Sequence, residues 1–233
     1  MPRLAFSLLL ALLFTACDRG NPEPGGQEVP FPVALAPAPP PPPSLPAPVD
    51  YDTSEWTELI RLDSSIVLEI RYATDNNFME QQIYDCGRCF FRPAVARALL
   101  AVHEDLGRRG LGLKLFDCYR PGPYQQRLWD VMPDARYVAH PARGSVHSRG
   151  AAADLTLVNR TTGEELEMGT PYDFFGEEAY TTTTNLPAPA GENRRILQDA
   201  MVRYGFATIR TEWWHFNFRG PRFPLSEWTW PCP

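Results

Sequence analysis

The 233-residue sequence predicts one α+β domain, with a mostly antiparallel sheet flanked by helices. Three observations carry that expectation. Segments with the two-residue alternation of strands and segments with helical periodicity follow one another without a regular strand–helix–strand rhythm, which disfavours a parallel α/β fold. Two long amphipathic segments have the apolar stripe of helices that cover a sheet. Just over half of the 25 prolines fall before Tyr51, which leaves a single uninterrupted segment long enough to bury a core.

The chain opens on Arg3 and an apolar run from Leu4 to Phe14, the length of a signal-peptide core and too short to cross a bilayer as a helix. The run ends in LFTAC, so that residues 1–17 resemble an export signal closing on a bacterial lipobox, with Cys17 as the lipidated residue. Phe14 departs from the leucine usual at that position. Residues 18–50 are Pro-rich and poor in branched apolar side chains, which predicts a disordered, partly polyproline II tether. The domain is expected over 51–233.

Within it, Ile66–Ala73 alternates like a strand. RPAVARALLAVHEDLGRRG reads as a helix with Pro93 in its first turn, Val95, Leu99, Val102 and Leu106 on one stripe, and Gly110 as its stop. Leu111–Asp117 is a strand running into the turn CYRPGP and a short helix from about Tyr124 to Met132. AADLTLV is a strand with Ala153, Leu155 and Leu157 inward and Asp154 on the other face. ENRRILQDAMVRYG is a helix ended by Gly205, and EWWHFNF is a strand.

A formal net charge of -6 and no basic cluster exclude a nucleic-acid partner, and nothing marks an obligate protein partner. Cys86, Cys89, Cys118 and Cys232 are an even set, so two disulfides are expected in an oxidising compartment, with three connectivities open. The CGRC run lacks the second pair of a zinc ribbon. It also does not open a helix, as a redox motif would.

The chain has four histidines, and two of them flank candidate acids. His147, Asp154 and His215 offer two imidazoles and one carboxylate, the donor set of a catalytic zinc site that leaves a position for water. Asp154 interrupts an apolar strand with a charge, which is costly unless it is paired or coordinated. Glu212 precedes His215 by three residues, so a bulge or irregular turn is needed to bring both to one site. Glu212 would then serve as general base. Trp213 and Trp214 suit core packing, with one of them free to wall a pocket. Arg120, at a strand end, could stabilise an oxyanion or pair with Asp117.

The runs RYATDNNF, DCYRP, SVHSRGAAADLTL, MGTPYDFF, ENRRIL and GFATIRTEWWHF together resemble the D-alanyl-D-alanine dipeptidases, zinc peptidases that include the vancomycin-resistance dipeptidase. The resemblance covers about Leu62 to Arg219. It implies that fold and one zinc ion per chain on His147, Asp154 and His215, with Glu212 as catalytic base and Arg120 stabilising the transition state. It also implies that Tyr72 and Asp173 hold the substrate's ammonium and that Ser145 meets its carboxylate. The sequence departs from the family in a short Gln125–Tyr137 segment, in YTTTTNLPAPAG, which lacks the usual histidines, and in its leader. An exported enzyme cannot destroy D-Ala-D-Ala in the cytosol. The expected role is therefore hydrolysis of this small dipeptide outside the cytosol, by a lipoprotein anchored to the membrane and scavenging peptidoglycan fragments. The alternatives are a zinc D,D- or L,D-carboxypeptidase acting on wall peptides, or a non-catalytic, metal-loaded wall-binding module.

Overall fold

A computed structural model describes residues 49–135 and 137–232; the leader, Cys17 and the tether up to residue 48 lie outside the described residues. Asp50, which composition places in the tether, forms ion pairs with Arg88.

The strands are β1 (Thr57–Glu58), β2 (Val67–Leu68), β3 (Phe90–Phe91), β4 (Leu111–Asp117), β5 (Ala152–Asn159), β6 (Phe206–Thr208) and β7 (His215–Phe218). The helices are α1 (Pro93–Gly107), α2 (Gly122–Val131) and α3 (Ala188–Arg203). Five strands form one sheet in the order β2-β4-β5-β7-β6, while β1 and β3 pair separately. Only β2 and β4 run parallel; the other neighbours are antiparallel.

β5 is the centre of the sheet, and its residues from Ala152 to Val158 are all buried. On one face Ala153, Leu155 and Leu157 join Leu113 and Leu115 of β4 in the core. Val95, Leu99, Val102 and Leu106 of α1 belong to the same core, as their helical stripe requires. Asp154 falls on the other face by strand alternation. A register shift between Leu115 and Asp117 sets Asp117 opposite Asp154, whose partner on the other side is His215. The acid, the imidazole and the end of β4 are thus adjacent by register.

Several elements differ from their expected bounds, each for a local reason. The strand expected over Ile66–Ala73 keeps its ladder bond only to Glu69, whose amide donates to the Leu115 carbonyl at 2.9 Å. It then turns at Arg71–Ala73, where the Asn77 amide donates to the carbonyls of Arg71, Thr74 and Gln81 at 3.2, 2.7 and 2.8 Å. That side chain competes with the sheet for the backbone. α1 stops at Gly107, and Gly110 (φ +73°) instead makes the turn into β4. α3 begins four residues earlier than expected, because Pro189 sits in its first turn, where no amide donor is needed. Residues 212–214 are irregular rather than strand, with bends at Trp213 and Trp214.

Two disulfides resolve the three open pairings as Cys86–Cys232 and Cys89–Cys118. The first ties down a C-terminal strap whose tryptophans fill an aromatic layer. Trp228 stacks on Trp56 at 5.2 Å, and Trp230 meets Tyr84 and Tyr124 edge-on at 5.6 and 5.5 Å.

Candidate metal centre and catalytic cavity

His147 lies in a 3-10 turn over His147–Arg149 that closes on Gly150 in the left-handed region (φ +67°). Its Nδ1 donates to the Cys118 carbonyl at 2.7 Å, since a carbonyl can only accept. Its Nε2 lone pair is thereby left facing inward. His215 is fixed in the opposite sense: Nε2 donates to Asn217 Oδ1 at 3.0 Å, leaving Nδ1 inward. His147 Nε2 and His215 Nδ1 are 3.2 Å apart, and each faces Asp154 Oδ1, at 3.4 and 2.9 Å. A tetrahedral zinc with ligands at about 2.0–2.1 Å separates its donors by about 3.3 Å. Three inward lone pairs at these separations, from two nitrogens and one oxygen, fit such an ion. His147, Asp154 and His215 are the group of candidate ligands among the described residues.

The electrostatics describe the metal-free protein. Burial works against the Asp154 carboxylate, but His147 and His215 outweigh it and hold its pKa below the usual carboxylate range. Burial likewise opposes charge on His215, yet its hydrogen bond to Asp154 raises it to about 9. Tyr172 donates to Asp154 Oδ2 at 3.0 Å, satisfying the second oxygen.

A cavity of about 610 Å³ opens over this cluster, lined by Tyr72, Arg120, Ser145, His147, Asp154, Asp173, Glu212 and His215 together. The bends before β7 bring Glu212 to the cluster, with Oε2 3.8 Å from His215 Nδ1. Burial raises the Glu212 pKa, and the Asp154 charge adds to it against the opposing imidazoles. A carboxyl raised in this way is suited to exchanging protons near neutrality.

Arg120 both pairs with Asp117 and lines the cavity, so the two sequence readings are compatible. Its Nη2 and Nε donate to Asp117 Oδ2 at 2.6 and 3.1 Å, and Nη1 donates to Gln125 Oε1 at 3.1 Å. Tyr84 donates to Asp117 Oδ1 at 2.7 Å. Burial disfavours the charged guanidinium, but Asp117 reverses the balance and keeps it protonated.

Tyr72 donates to Asp173 Oδ2 at 3.1 Å. Asp173 is one of two described non-glycine residues with positive φ (+58°), a conformation aspartate tolerates better than most. Burial raises its pKa well above the carboxylate range, and Asp154 pushes in the same direction. Ser145 Oγ accepts the Ser148 amide at 3.3 Å. Trp213 and Trp214 are both buried, and Trp214 also walls the cavity.

Sequence reasoning assigned no role to Tyr172, Asn217, Tyr84 or Gln125, which hold the site residues in place. Asn217 was accessible to sequence reasoning, because it follows His215 by two residues on a strand and therefore shares its face. Tyr84 and Gln125 reach Arg120 only through tertiary packing.

Comparison with known proteins agrees with this chemistry. The family model described as D-Ala-D-Ala dipeptidase matches residues 53–226. The D-alanyl-D-alanine dipeptidase of Escherichia coli (strain K12) is 34% identical over 182 residues, covering 78% of this chain and 94% of that protein. Its namesake from Enterococcus faecium is 30% identical over 185 residues, covering 70% and 91%. A solved vancomycin-resistance D,D-pentapeptidase in complex with Zn(II) is 16% identical, with 57% of this chain and 74% of that chain covered at a TM-score of 0.37, too distant to add weight. Because the family match and both relatives span nearly the whole domain, the chain belongs to the peptidase M15 D-Ala-D-Ala dipeptidases, a family of zinc metallopeptidases.

Proposed function

We propose that this dipeptidase works outside the cytosol, cleaving D-Ala-D-Ala released from peptidoglycan so that D-alanine can be recovered. The observation that carries the location is the pair of disulfides within the domain, since such bonds persist in oxidising compartments. The apolar leader ending at Cys17 supports the same reading and adds a lipid anchor.

His147, Asp154 and His215 would hold a single zinc. When bound, the ion polarises the scissile carbonyl and makes its water easier to deprotonate. Glu212 takes a proton from the attacking water and returns it to the departing amine as the C–N bond breaks, a role supported by its place in the cavity wall 3.8 Å from His215 Nδ1. Arg120, kept charged by Asp117, faces the oxygen on which negative charge develops. Asp173, with Tyr72 donating to it, receives the substrate ammonium, and Ser145 receives a carboxylate oxygen. An acid destabilised by burial gains most from a cation that arrives with the substrate.

The test is release of alanine by the zinc-loaded enzyme from D-Ala-D-Ala, L-Ala-L-Ala, N-acetyl-D-Ala-D-Ala and a wall tripeptide. A dipeptidase holding the free ammonium cleaves the first and nearly fails on the acetylated form. Equal rates on free and acetylated dipeptide would replace this reading with a carboxypeptidase.

A further inference from the structure

The cavity contains more acid than a zwitterionic substrate can use at one end. Asp154, Asp173, Glu177 and Glu212 all line it, and the arginines among its described lining residues are Arg120 and Arg210. Arg120 is buried, three of its five N–H donors already bind Asp117 and Gln125, and the rest are those the oxyanion role requires. Ser145 is a neutral hydroxyl, too weak by itself to seat a second anion among these carboxylates.

Arg210 differs from Arg120 in every respect that matters for binding an anion. It is exposed, and it makes no ion pair or side-chain hydrogen bond among the described residues, so its guanidinium donors are uncommitted. It is nevertheless held in place, with its charge 4.6 Å over the Tyr180 ring. The loop beneath it is fastened as well: the Thr181 amide donates to the Arg210 carbonyl at 2.9 Å, and the Thr181 hydroxyl donates to the Ile209 carbonyl. A cation positioned before the ligand arrives loses little freedom on binding. Arg210 also precedes Glu212 by two residues on the same loop, which keeps it beside the site of proton transfer. In a dipeptide the terminal carboxylate lies one residue, about 3.8 Å of backbone, from the reacting carbonyl.

We infer that Arg210 is the specificity residue for the dipeptide's free C-terminal carboxylate, acting with Ser145 in the cavity that also holds the ammonium site at Asp173. The inference rests on the dipeptidase reading of the cavity. It makes the enzyme reject substrates whose C-terminus is blocked.

The test compares D-Ala-D-Ala with D-Ala-D-alaninamide in the zinc-loaded wild type, Arg210→Gln and Arg210→Lys. Arg210→Gln should raise KM for the acid roughly ten- to a hundredfold with kcat changed less than about twofold, and leave the amide unaffected. Arg210→Lys should recover part of the loss. Unchanged KM for the acid, or a parallel loss on acid and amide, overturns the inference. So does a wild type that does not distinguish the two substrates. Calorimetric binding of both ligands in a Glu212→Gln background reads the contact without turnover, so absence of hydrolysis would defeat the dipeptidase reading while the carboxylate contact is still judged. There too, Arg210→Gln should weaken the acid alone.

Discussion

Asp154 illustrates how neighbours define a residue. One oxygen faces two imidazoles and the other accepts from Tyr172, so the carboxylate is fully engaged in the middle of an apolar strand. Its charge in AADLTLV was legible in the sequence as an expense that needed a partner. The tautomer of His147 was not legible, because the Cys118 carbonyl fixes it from 29 residues away, whereas Asn217, two residues from His215 on one strand, was within reach of the pattern. Asn217→Ala should therefore weaken zinc binding about ten- to a hundredfold, measured by chelator competition, without unfolding the domain. Glu212→Ala should keep the metal and lose roughly a hundred- to ten-thousandfold in kcat. A mutant of full activity would remove Glu212 from proton transfer. For the metal-free protein the raised pKa of His215, about 9 against 6.5, fixes the sign of a pH effect. Its contribution to stability is complete below pH 6.5 and is lost as pH rises through about 9. The thermal midpoint of the apo protein should fall across that window. Zinc, which competes with the same proton, should bind more tightly across it.

The elements that position the site are those whose sequence signal is interrupted. Leu111–Asp117 was legible in its bounds, because Leu111, Leu113 and Leu115 alternate with Gly112 and Lys114, and the alternation breaks only at Phe116, where the register shifts. The strand expected after Ile66 was too long, because the side chain of Asn77 captures the Arg71 carbonyl, and no period in the sequence records a bond made six residues away. The small pair β1 and β3 and the three-residue β6 were too short to carry a period at all. Glu212 and His215 needed an irregular turn between them, and the bends at Trp213 and Trp214 supply it. The turn after His147 depends equally on Gly150. Its φ of +67° disfavours any side chain, and an added Cβ would lie 2.5 Å from the Trp56 ring. Gly150→Ala should cost about 2 kcal/mol or more by denaturant unfolding, from backbone strain and the clash together. It should also weaken zinc binding, since His147 heads that turn.

At the scale of the molecule, the cysteine count made two disulfides legible but left their pairing to the fold. Cys86–Cys232 closes a sequence separation of 146 residues, and Cys86→Ser with Cys232→Ser should cost about 2–5 kcal/mol in unfolding free energy. The leader makes a separate prediction. In a bacterial host the wild type should pellet with membranes and be released by detergent rather than salt, and Cys17→Ser should abolish that anchoring. Wild-type enzyme found active in the cytosol would defeat the proposed location. The C-terminal strap has a consequence in time as well as in space. Trp230 packs against Tyr84, Tyr84 holds Asp117, and Asp117 holds Arg120. The strap follows every site residue in the chain, so synthesis delivers the candidate ligands and the acid first and the wedge behind the arginine last. The metal ligands are therefore in place before the arginine is braced, and full hydrolytic competence waits for the strap to dock.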